Sequence, residues 1–250
     1  MKFRTEGLII REQNIREQDK LIYVLTKSNG VVKAFARGAK NLKNGKSAAT
    51  SLLSYAQLTF HPGNDSYTVS DARTLRVFSG LRGDVIKMCL AQYFCELALT
   101  VCPRERSADK YLSLMLNSLW LLDGDRRPAK LVKPCLEMRL AAMSGYMPDL
   151  IMCKTCGVYA APAMYFYPQT GILECCDCRK VPPAGAVALS EAALTALRHT
   201  VYADDDKLFA FSLSDEGLKQ LNQASEAYLK YRFEKDFKTL GFYHAMTAEN

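Results

Sequence analysis

From Lys20 the chain reads Lys20-Leu-Ile-Tyr-Val-Leu-Thr26, turns through Ser28-Asn-Gly30 and returns as Val31-Val-Lys-Ala-Phe-Ala36. Both arms are rich in β-branched and aromatic residues, and Asn-Gly between such arms is a hairpin turn. Working outward, Leu8-Ile-Ile10 leads a strand on the N-terminal side. On the other side Leu53–Phe60 and Tyr67–Ser70 are separated by Pro62-Gly63-Asn64-Asp65, again a turn sequence. Five short strands in about eighty residues suit a small closed barrel, and an OB-fold leads because such barrels take up single strands. An SH3-like barrel satisfies the same pattern, so periodicity alone leaves the two open.

Composition changes near Gly80. Asp84 to Cys102 is apolar nearly all round its helical wheel, as a buried helix would be, and Pro103 ends it. Asp109 to Leu122 carries one apolar stripe. Ala129 to Ser144 follows, with Pro134 tolerable in a first turn or as a kink and Gly145 as its stop. Ser190 caps a short helix to His199, and Ser214 with Asp215 and Glu216 opens a long one to about Phe237. The expected class is therefore α+β multidomain. An N-terminal five-stranded OB-fold β-barrel at 1–80 precedes an α-helical domain at 81–250, into which a four-cysteine zinc loop is inserted at 150–180.

That loop holds Cys153-Lys-Thr-Cys156 and, eighteen residues on, Cys175-Cys176-Asp-Cys178. Two C-x-x-C turns at this interval aim four thiolates at one point, the pattern of a tetrahedral zinc site. Cys176 could replace Cys175 only by shrinking the second turn to C-x-C. Four thiolates close the coordination shell, so one structural Zn2+ is expected rather than a catalytic one. Nine cysteines, an N-terminus that breaks early into charge and no apolar run of membrane length place the chain in the reducing cytoplasm, away from membranes.

The net charge of +7 is unevenly distributed. Residues 1–80 hold 13 Lys/Arg against 6 Asp/Glu, and no carboxylate occurs between Asp19 and Asp65. Within that gap Arg37, Lys40, Lys43 and Lys46 recur at three-residue intervals among flexible glycines, a spacing that can follow a phosphate backbone. Lys33 before them and Arg73 and Arg76 after them complete the candidate DNA-binding set. Tyr23, Phe35, Tyr55, Phe60 and Tyr67 are either stacking platforms or barrel core. Catalysis finds little support. His61, His199 and His244 lack partner carboxylates at suggestive spacing, Asp204-Asp-Asp206 reads as a solvated turn, and phosphate-binding glycine motifs and nucleophile elbows are missing.

Arg37-Gly38-Ala39-Lys40, Leu136-Glu137-Met-Arg-Leu140 through Gly145-Tyr146-Met-Pro148 to Cys153-Lys-Thr-Cys156-Gly157, Phe166-Tyr167-Pro168 onward to Cys178, and Lys238-Thr-Leu-Gly-Phe242 form a set of segments spanning nearly the whole chain. Together they resemble the RecO family of bacterial DNA-repair recombination mediators. The resemblance implies a non-enzymatic protein that binds single- and double-stranded DNA, anneals complementary strands and helps load RecA onto DNA coated by single-strand-binding protein. It implies RecR as a partner, RecF and RecA less directly, and the acidic tail of single-strand-binding protein as a ligand of the helical domain. Lys133 and Arg139 would meet that tail's carboxylates, and Leu112, Leu116 and Leu140 would line its apolar groove. Without the resemblance, an RNA-binding translation or transcription factor built from the same two modules stays open.

Overall fold

The structure, a computed structural model, describes residues 2–15, 17–41, 45–63 and 66–248. Its strands begin with β1 (Phe3–Asn14), β2 (Lys20–Thr26), β3 (Gly30–Ala36), β4 (Ser54–Pro62) and β5 (Tyr67–Val77), with the short helix α1 (Lys46–Ala49) between β3 and β4. Then come α2 (Ser79–Arg82), α3 (Val85–Val101), α4 (Asp109–Asp123) and α5 (Ala129–Met143). The strands β6 (Met164–Tyr167), β7 (Ile172–Cys175) and β8 (Val187–Leu189) precede α6 (Glu191–Tyr202), α7 (Asp215–Phe233) and α8 (Lys238–Ala248). Contacts divide the chain into two compact units, residues 1–124 with 237–250, and residues 125–236.

In the first unit β1 pairs with both β2 and β4, and the barrel closes in the order β1-β2-β3-β5-β4. The contact that decides between the two barrels is β3 against β5, which is parallel, Ala34 opposite Tyr67 and Phe35 opposite Thr68. This closure is that of an OB-fold; an SH3-like order lacks it. Side chains alternate across the wall as the pleat requires. Ile22, Val24, Val32, Ala34, Leu58 and Phe60 fill the interior, while Lys33 stands outside and Tyr23 is half-exposed.

β5 runs to Val77 rather than ending at Ser70, because β4 continues to pair with it through two register shifts. The polar run Ser70-Asp71 conceals this continuation in the sequence. The β2–β3 turn is fixed by Gly30, whose φ is +65°. Val31 N–H donates to Pro103 O at 2.8 Å and Glu105 N–H to Asn29 O at 3.1 Å, so the loop after α3 lies against the turn. A Cβ on Gly30 would sit 2.1 Å from Pro103 O. Gly30→Ala is therefore expected to cost about 2 kcal/mol or more, from strain at positive φ plus the clash, read as a lower urea midpoint. An unchanged midpoint would show that the turn and loop separate freely.

α3, α4 and α8 share the barrel's unit. Asp84 caps α3 by accepting from Lys87 N–H at 3.0 Å. α7 ends at Phe233, with Glu234 at φ +47°, rather than running to about Phe237, and the separate helix α8 that follows has its first turn held by Glu96 of α3. That carboxylate accepts from Thr239 N–H at 3.1 Å and Thr239 Oγ1 at 2.6 Å, a cap supplied from another helix.

In the second unit α5, α6 and α7 accompany a three-stranded sheet ordered β7-β6-β8. Pro134 lies inside α5 and offers no N–H to Lys130 O. Asn222 of α7 supplies the missing donor, its Nδ2 standing 2.6 Å from that carbonyl. Ser190 and Ser214 cap α6 and α7, accepting from Ala193 N–H and Gly217 N–H. β8, three residues long, is too short to show a period in the sequence.

Candidate nucleic-acid interface and four-cysteine centre

The sulfurs of Cys153, Cys156, Cys175 and Cys178 all lie within 4.8 Å of one another. A zinc–sulfur bond of about 2.3 Å puts tetrahedral sulfurs about 3.8 Å apart, so a set this close could hold such an ion. Cys156 and Cys175 Sγ are 3.6 Å apart. Cys176 stays outside the cluster, its N–H bonded to Ala163 O at 3.1 Å. That resolves the ambiguity between Cys175 and Cys176.

Each knuckle is built by local backbone. Cys153 N–H donates to Val158 O and Gly157 N–H to Cys153 O, a tight turn that needs Gly157 at φ +75°. Lys154 N–H donates to Leu173 O at 2.8 Å and Cys175 N–H to Cys153 Sγ at 3.3 Å, joining the first knuckle to β7. Burial raises the Cys153 thiol, but N–H groups of Cys156, Cys175 and Thr155 more than offset it and lower its pKa to about 6. Cys178 is raised by its bonds to Cys156 and Cys175, as expected where sulfurs share protons that a divalent cation would displace.

Polar side chains lock the frame. Glu174 accepts from Tyr167 Oη, from Thr155 Oγ1 at 2.7 Å and from Arg179 Nε at 2.9 Å. It thereby ties the first knuckle to the residue following Cys178. Tyr167, Thr155 and Arg179 together hold its carboxyl down at about 2. Arg198 of α6 donates to Leu150 O at 2.7 Å, Ile151 O at 3.0 Å and Tyr159 O at 2.6 Å, and its guanidinium lies 3.9 Å from the Tyr159 ring centroid. Neither Glu174 nor Arg198 stood out in the sequence, since a single Glu or Arg carries no spacing signal.

On the barrel, strand register sets Arg11, Tyr23 and Lys33 in one row across β1, β2 and β3. The Arg11 guanidinium stands 5.5 Å from the centre of the Tyr23 ring. Beside them a hollow of about 460 Å³ is lined by Tyr23, Lys33, Tyr67, Arg104 and one carboxylate, Glu105. The face of strands 2 and 3 is where OB-folds take up oligonucleotides. Arg37 follows directly on β3 and is exposed. Its loop is tied to the β1–β2 connection by Gly38 N–H to Asp19 Oδ1 at 2.9 Å and Lys40 N–H to Gln18 O at 3.2 Å. Lys40 and Lys46 are half-buried, and Lys43 lies outside the described residues.

Arg73 and Arg76 stand elsewhere, on the outer side of β5 opposite Gln57 and Tyr55 of β4. Phe60 is core, whereas Tyr67 packs on it edge-on with its ring half-exposed. Arg11 and Arg104 went unselected in the sequence. Arg104 belongs to a stretch whose charges balance, so only folding reveals that it joins the basic face.

A family profile described as Recombination protein O N terminal matches residues 1–78, and one described as Recombination protein O C terminal matches residues 82–241. The chain belongs to the RecO family. A relative from Acetivibrio thermocellus, described as DNA repair protein RecO, is 33% identical over 96% of this chain and 95% of its own length. Relatives of the same description from Symbiobacterium thermophilum and Dehalococcoides mccartyi are 33% and 28% identical, over 96% and 99% of this chain and 96% and 97% of their own lengths.

The five residues expected to form a RecO-type partner groove are divided between the two units. Leu112 and Leu116 are on α4 in the first unit, and Lys133, Arg139 and Leu140 are on α5 in the second. Leu112 and Leu140 are buried, and Leu116 is half-buried. Lys133 is 1% exposed and does meet carboxylates, but those of its own chain: Glu137 at 2.9 Å and Glu226 at 2.6 Å. Arg139 bonds Thr200 O at 3.1 Å, Ala203 O at 2.6 Å and Asp205 at 3.0 Å, closing the C-terminal end of α6. Both cations are thus engaged inside the fold. Asp204-Asp-Asp206 is an exposed turn, with Asp204 paired to Lys207 at 2.9 Å. Among the described residues, no helix is long and apolar enough to cross a membrane.

Proposed function

We propose that this chain is a DNA-repair protein that holds DNA rather than transforming it, with the β2–β3 face as its grip. The observation that carries this reading is the row Arg11, Tyr23 and Lys33 across β1, β2 and β3, with exposed Arg37 directly after β3. Cations on the loop would take phosphates, while Tyr23 and Tyr67 would stack on bases left unpaired. Such a surface leaves base edges free, which strand annealing and hand-over to RecA both need. RecR, single-strand-binding protein and, less directly, RecF are the partners this reading assigns, in the cytoplasm. The four cysteines would hold one Zn2+, whose role is to fold the loop; four thiolates leave no position for substrate.

Replacing Arg37, Lys40, Lys43 and Lys46 together by Ala is expected to weaken single-strand binding about tenfold or more and to lower the log–log salt slope by about 3. The measurement is oligonucleotide anisotropy across a salt series. Unchanged affinity and slope would place the DNA surface elsewhere. The finer role is tested by annealing of strands coated with single-strand-binding protein, with and without RecR. Annealing no faster than in the absence of the protein would remove it.

A further inference from the structure

We propose a second nucleobase-binding subsite on the first unit, on the outer side of β5, formed by Trp120, Tyr55, Arg76 and Asn117. It rests on the reading of the chain as a DNA-binding protein but uses none of the β2–β3 face. A hollow of about 330 Å³ is lined by Tyr55, Arg76, Phe78, Leu116, Asn117 and Trp120. Its size lies at the lower end of small-ligand pockets, which start at about 300 Å³.

Strand alternation alone would send residues 73 and 76 to opposite faces. The register instead pairs Arg76 with Tyr55, Thr74 with Ala56 and Arg73 with Gln57, leaving Leu75 as the extra residue of a bulge. The bulge returns Arg76 to the outer side, beside Arg73. Arg76 then lies 5.6 Å from the centre of the Phe78 ring. From α4, Leu116 and Trp120 share a helix face at i,i+4, and Trp120 is 38% exposed.

The chemistry of the lining selects the occupant. Three aromatic rings, a guanidinium and a side-chain amide meet a base by stacking, by ion pairing to its phosphate and by hydrogen bonds to its edge. No carboxylate lines the hollow. Glu6, outside the lining, accepts from Tyr55 Oη at 2.5 Å. A duplex hides its base faces, so an unpaired strand is the occupant that fits.

Trp120 is the chain's single tryptophan, so its emission reports this hollow alone. The full-length protein is titrated with oligo-dT while anisotropy of an end-labelled oligo-dT reports total binding. The expected result is quenching of Trp120 emission, weakened about tenfold by Arg76→Ala. Anisotropy binding without any change in Trp120 emission would overturn the subsite and leave the β2–β3 reading standing. No binding in either channel would overturn both. A short acidic peptide that quenches Trp120 where oligo-dT does not would overturn the proposal in favour of a peptide site.

Discussion

Cys175→Ser is expected to abolish stoichiometric zinc binding and to unfold the knuckles and β6–β8 of the second unit. Cys175 is fully buried, its N–H bonds Cys153 Sγ, and its own sulfur lies 3.6 Å from that of Cys156. A structural zinc contributes on the order of 10 kcal/mol of apparent folding energy, comparable with the whole stability of a domain. The loop cannot replace that by burial alone. Its sheet has only strands of three or four residues, and Phe166 against Tyr228 of α7, at 5.7 Å between centroids, is its main aromatic anchor. The measurements are metal content and hydrogen exchange on the full-length chain. Protection should fall across residues 150–189 while β1–β5 and oligonucleotide affinity hold. Equal protection in metal-stripped and metal-loaded protein would mean that the thiols are ordinary buried groups.

Lys133→Met is expected to destabilise the protein by about 3–5 kcal/mol, the cost of leaving buried charge uncompensated. Lys133 and Glu137 are one turn apart on α5, and their side chains are 1% and 0% exposed. Glu226 approaches the same ammonium, and Ser225 Oγ donates to Glu137 Oε2 at 2.5 Å. Removing the lysine takes the ammonium away from two carboxylates, of which Glu137 is fully buried. The double variant Lys133→Met/Glu137→Leu should recover much of the loss, since an apolar pair needs no charge compensation. Urea unfolding of the single and double variants separates the two effects. A single variant as stable as the parent would show that the network contributes nothing.

Lys133 also illustrates what a sequence can mislead about. A lysine on a helix, with a leucine nearby, looks available to an acidic partner. Whether it is available depends on Glu226, 93 positions away, a distance that carries no local signal. The four clustered cysteines were legible because both knuckles are local turns, and two short spacings describe almost the whole cluster. The supports were not: Glu174 gathers Thr155, Tyr167 and Arg179 by hydrogen bonds across the hairpin, and Arg198 reaches in from α6.

Sequence by itself determined the β2–β3 hairpin, the strand count of the barrel, the helices α3 to α7 within a few residues, the cysteine set and the concentration of positive charge in residues 1–80. All of these are short-range properties: alternation, capping, turn residues and composition. Only the tertiary structure decided that the barrel closes through a parallel β3–β5 contact, that Arg11 and Arg104 join Lys33 on one face, and that the bulge at Leu75 turns Arg76 outward. It also placed α3, α4 and α8 in the barrel's unit, although composition breaks near Gly80. The reason is common to all four. A strand's neighbours, and the side of the sheet a residue faces after a register shift, depend on partners far away in the chain, and these exist only once the chain has folded.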